Sequence, residues 1–110
     1  MIQDRIDKIE STLQSAPNLP AETKQELLAL LAELKAEVAP LSATHSEDAA
    51  SIARFTDASF HEATRHERKP EQTAAALSGL SASVEGFEAS HPRLVQIVDR
   101  IALTLSNMGI

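Results

Sequence analysis

Residues 92–107 read PRLVQIVDRIALTLSN, and the spacing within this stretch decides the class of fold. Apolar side chains stand at positions 94, 95, 97, 98, 101, 103 and 105, while 93, 96, 99, 100, 104 and 107 are polar. Intervals of three and four place side chains on one side of a helix with 3.6 residues per turn. Ser90 or His91 can cap this helix, and Pro92 fits its first turn, where a missing N–H costs nothing. At the far end, Gly109 suits the left-handed residue that closes a helix, with Ile110 able to fold back on it. So wide an apolar surface belongs in the middle of a bundle or in a subunit interface. Leu94, Ile97, Val98, Ile101 and Leu105 are therefore the candidate interface residues.

The same spacing recurs upstream. Leu77, Leu80, Val84 and Phe87 follow Pro70, which restarts a helix, although Gly79 and Gly86 weaken it. Leu27, Leu31, Leu34 and Val38 form a second seam between Pro20 and Pro40. Ile2, Ile6, Ile9 and Leu13 form a third, ended by Pro17 and Pro20 within SAPNLP. No stretch alternates with period two, and only three glycines occur, so strands are not expected. The expected fold is all-α: antiparallel helical hairpins forming a small helix bundle or a coiled-coil-like assembly. Residues 1–40 would be an N-terminal hairpin and 70–110 a C-terminal helix pair of one domain. Residues 41–69 carry few large apolar side chains beyond Ile52, Phe55 and Phe60. They are expected to be a polar, weakly packed helix opening at Ser46, or a connector.

Composition excludes several functions. The 110 residues are 43% hydrophobic and 24% charged, an ordinary globular balance. Sixteen acids face ten bases, a net charge of −6, and no segment is a basic stripe, so nucleic acid is not expected as a partner. The absence of cysteine removes disulfides and thiolate chemistry. MIQDRIDKIE lacks the apolar core of a signal peptide and no long apolar run occurs, so the expected location is cytoplasmic, with no membrane association.

HEATRHE, residues 61–67, lies one residue from the HExxH pattern of zinc hydrolases. On a helix His61 and His66, five apart, diverge by about 140°, and the hydrolase reading fails. Glu62 and His66 are four apart and could grip a metal with His45 as a third ligand, a small metal- or ligand-binding alternative. Glu-x-x-His pairs of the di-iron kind are missing, since Glu88 and His91 straddle a break at Pro92. Neither a nucleophile elbow nor a phosphate-binding glycine loop is present. RHERK at 65–69 is the one cationic cluster, placed to complement a helix C-terminus or to meet an acidic partner.

FEASHPRLVQIVDRIALTLSNMGI, residues 87–110, closely resembles the C-terminal signature of a bacterial family catalogued as a domain of unknown function, number 4404. The resemblance implies a short helical protein with a leucine-rich N-terminal hairpin and implies no activity. Read from the residues, the tail is structural: Ser90, His91 and Pro92 turn and cap, and Gly109 closes. A functional role for His91 would have it stay neutral at a helix start and touch a ligand. Seams of about two heptads are marginal alone, so homodimerisation is expected. The leading expectation is a non-enzymatic oligomerisation or protein-interaction module with no cofactor.

Overall fold

Prolines set the starts of the helices. Pro20 and Pro40 immediately precede α2 (Ala21–Val38) and α3 (Leu41–Thr44), while Pro70 and Pro92 are the first residues of α5 (Pro70–Ser83) and α6 (Pro92–Asn107). Their fixed φ suits a first turn, whose N–H groups have no intrahelical partner. Two further helices, α1 (Ile2–Gln14) and α4 (Ser46–Thr64), complete the set. The computed structural model describes residues 2–16 and 19–108, with only the backbone of Ile2 and Gln3. Among the described residues every regular element is a helix, and the fold is all-α. The expected roles of Ile2, Pro17, Gly109 and Ile110 fall outside what is described.

Long-range contacts fix the directions. Lys35 meets Asp7 and Lys24 Nζ reaches the Gln14 carbonyl at 3.2 Å, so α1 and α2 run antiparallel. Arg93 meets Glu33 at 2.8 Å and Thr104 meets Glu26 at 3.5 Å, which makes α2 and α6 antiparallel. Thr73 bonds the Glu62 carbonyl at 3.4 Å and Phe55 lies over Gly79, so α4 and α5 are antiparallel as well. Arg5 reaches Asp57 at 3.3 Å across the α1–α4 contact. Helix contacts close a ring, α1–α2–α6–α5–α4, with α4 also touching α6 across it. The radius of gyration is 13.0 Å, close to the ~13 Å of a compact domain this long. The chain is a bundle, not an elongated coil.

The seams read from sequence meet inside this ring. Ile6, Ile9 and Leu13 of α1 join Leu27, Leu31, Leu34 and Val38 of α2 and the apolar face of α6 in one buried cluster. α5 is shorter than its spacing suggests. It ends at Ser83, and Val84 and Phe87 enter the core from the turns that follow. That turn needs Gly86, whose φ of +95° is unfavourable for a residue with a Cβ.

The middle of the chain buries more than its count of large side chains implies. Residues 46–64 form a single helix whose inner face is Ala49, Ile52, Ala53, Thr56, Ser59, Phe60 and Ala63. Small side chains are what let neighbours come close. At Gly79 on α5, an added Cβ would lie 2.3 Å from Phe55 Cε1, nearer than any real contact. Thr56 satisfies its buried hydroxyl by bonding back to the Ile52 carbonyl at 2.7 Å.

Candidate functional site

Two groups of chemistry-bearing side chains lie at opposite ends of α4 and α6. At the starts of both helices stands a histidine. His45 (φ −137°, ψ 60°) and His91 (φ −138°, ψ 63°) are the N-cap residues and share one backbone conformation. Each donates its N–H to a carbonyl four residues back, Leu41 and Phe87 respectively, at 2.7 Å. Each ring Nδ1 lies 2.9 Å from the hydroxyl of the preceding residue, Thr44 or Ser90. Neither side chain caps its helix, so the capping expected of Ser90 and His91 is a backbone matter. The two rings stand edge-on to Phe87, with centroids 5.6 and 5.4 Å away. They shield an aromatic core residue, and that is sufficient reason for their place.

The other end holds an open groove of about 830 Å³. α6 and its C-cap contribute Arg100, Leu103 and Met108, α2 and the approach to it contribute Glu26 and Leu19, and the α4–α5 connection contributes Arg65 and Arg68. Arg65 and Arg68 follow the C-terminus of α4, where cations complement the negative end of a helix, while Arg100 comes from the middle of α6. Arg68 reaches α6, with Nη2 donating to the Leu105 carbonyl at 3.3 Å. RHERK therefore serves a second helix as well as the one it follows. Arg65 is committed to Glu62 at 3.0 Å and Gln72 at 2.9 Å. Arg68 Nε, by contrast, is buried and bonded to nothing among the described residues.

The metal-site residues read from sequence do not meet. α4 ends at Thr64 and Arg65 is extended (φ −66°, ψ 153°), so Glu62 and His66 share no helical face. His45 stands at the opposite end of α4, seventeen residues before Glu62, or about 26 Å along the axis. Among the described residues no group of three or more His, Asp or Glu is placed to hold a metal ion. Glu62 is instead occupied by Arg65, with His61 Nε2 3.9 Å away.

The five candidate interface residues are all internal to the single chain. Leu94, Val98, Ile101 and Leu105 are fully covered and Ile97 is 5% exposed. Their seam is used by α2, α4 and α5 of the same molecule. What sequence reasoning missed is Leu103, which is 62% exposed on the outer side of α6. Its signal was visible: it is an apolar residue off the buried stripe, between Arg100 and Asn107 on the same face.

Residues 31–110 match a family described as Domain of unknown function (DUF4404). No curated protein and no solved structure matches the chain. The matched span takes in the C-terminal part of α2 and all of α3 to α6, and with them His45, His91 and all three arginines of the groove. No helix among the described residues is long and apolar enough to cross a membrane.

Proposed function

We propose that this chain, which belongs to the DUF4404 family, is a non-enzymatic helical protein-interaction module that works as a homodimer. On the same reading residues 87–110 are the family's C-terminal signature, the source is bacterial and the location cytoplasmic. The observation that carries the proposal is the outer face shared by α2 and α6. Leu103 stands exposed there, with Glu26 and Glu33 on α2 and Arg93 and Arg100 on α6 forming the surface beside it. A two-fold contact must be self-complementary, each patch meeting a copy of itself. Acids on one helix and bases on its antiparallel neighbour satisfy that requirement when the two-fold runs parallel to the helices, which sets each α2 against the partner copy's α6. The tail helix is still the interface element, through Arg93, Arg100 and Leu103 and not through its buried stripe.

Native mass spectrometry across a concentration series tests this. The chain should appear as a dimer, and Leu103→Asp and Arg100→Glu should each give monomers with unchanged helical circular dichroism. Combining Glu26→Arg with Arg100→Glu restores opposite charges across the axis and should restore the dimer. A wild-type chain that stays monomeric at all concentrations overturns the proposal.

A further inference from the structure

We infer that the groove between the start of α2 and the end of α6 is a binding site for a small carboxylate with an apolar body. Its size is the first reason: about 830 Å³ falls in the range of roughly 300–1,000 Å³ that small-molecule sites occupy. Its walls supply two kinds of contact. Leu19, Leu103 and Met108 offer apolar surface, and Arg65, Arg68 and Arg100 surround it with three guanidinium groups against the single carboxylate of Glu26. A local excess of positive charge on a chain of net charge −6 selects an anion.

The state of each arginine identifies the head group. Arg65 is held by Glu62 and Gln72 and is not free to turn. Arg68 spends one amino group on the Leu105 carbonyl, which fixes its guanidinium in the lining of the groove. A planar carboxylate is the acceptor that matches a guanidinium edge with two parallel bonds. Arg100, exposed on α6, lines the same groove and can turn to the same anion. The start of α2, with Pro20 and Thr23 in the groove, adds the positive end of a helix dipole. Measured along α6 from Arg100 to Met108, the groove is about 12 Å long, which suits a compact ligand over an extended protein segment.

This site goes beyond self-association, although Arg100, Glu26 and Leu103 border both surfaces. Decanoate, decanol and inorganic phosphate serve as probes, followed by titration calorimetry and by native mass spectrometry, which counts chains and ligand together. Decanoate should bind one per chain. Decanol and phosphate, each lacking one half of the recognition, should bind about tenfold more weakly or worse. Arg68→Met and the exposed Arg100→Gln should each weaken decanoate by about tenfold, with Arg68→Lys intermediate because it keeps the charge and loses the fork. Arg100→Gln guards the test, since a surface change leaves folding intact even where Arg68→Met does not. Equal binding of decanol and decanoate, equal binding of phosphate, or no effect of either arginine substitution overturns the inference. A monomer that still takes one decanoate per chain refutes the dimer and leaves the site standing.

Discussion

Gly79 and Phe55 show how much one hydrogen atom can decide. The ring of Phe55, 39% exposed, occupies the space a Cβ at Gly79 would need. Glycine inside a helix costs up to about 1 kcal/mol relative to alanine, so the glycine is kept for the contact and not for the helix. Gly79→Ala should therefore destabilise the wild-type chain slightly by displacing the ring. In a Phe55→Ala background the same substitution should stabilise by about 1 kcal/mol, and urea denaturation of the four variants reads this reversal of sign. Ser59 makes the complementary point. Its hydroxyl is buried without a partner among the described residues, so Ser59→Ala should raise stability by about 1 kcal/mol. Lys35 carries a pH dependence: its hydrogen bond to Asp7, against a smaller opposing effect of desolvation, raises its pKa above the ordinary 10.5. A raised pKa means the contribution is fully present below pH 10.5 and is lost as pH rises through the higher folded value. Asp7→Asn should flatten that alkaline loss in thermal melts.

Among the elements, α6 and α2 were the most legible in sequence, because long side chains repeated every three and four residues leave one reading of their faces. α4 was not. Ala49, Ala53, Thr56, Ser59 and Ala63 are among the residues it buries, and small or hydroxyl-bearing residues do not announce a core face. Their burial follows from the closeness of α1 and α5, which no pattern within α4 encodes. Ala53→Leu should thus overpack the α4 face and cost about 1–3 kcal/mol, measured as a lower urea midpoint. The groove was half legible: RHERK declared its charge, but only tertiary structure brings Arg68 to the end of α6 and Arg100 into the same lining. The His45–Glu62–His66 grouping failed because it assumed a helix continuing past Thr64 and ignored the length of α4. Ile101 is wholly buried within one chain, so Ile101→Asp should unfold the protein, with loss of helical dichroism, where Leu103→Asp should leave that signal intact.

At the scale of the whole molecule, charge is sorted by place. An acidic exterior of net charge −6 carries one cationic groove and one face where acids and bases alternate between α2 and α6. Pairs on an exposed face are individually weak, roughly 0–1 kcal/mol, and salt screens them. Raising sodium chloride from about 0.1 to 1 M shortens the screening length from about 10 to 3 Å, and the dissociation constant of the proposed dimer should rise about tenfold. An interface held by Leu103 alone would tighten instead, and analytical ultracentrifugation separates the two. The opposite pole offers something of practical use. With neither Trp nor Tyr in the chain, fluorescence has little to report, yet His45, Phe87 and His91 stack edge to face where α4 and α6 begin. Ring currents from that triangle will pull the imidazole proton resonances away from their free-peptide positions, so two well-separated lines in a simple NMR spectrum will register whether the bundle is closed.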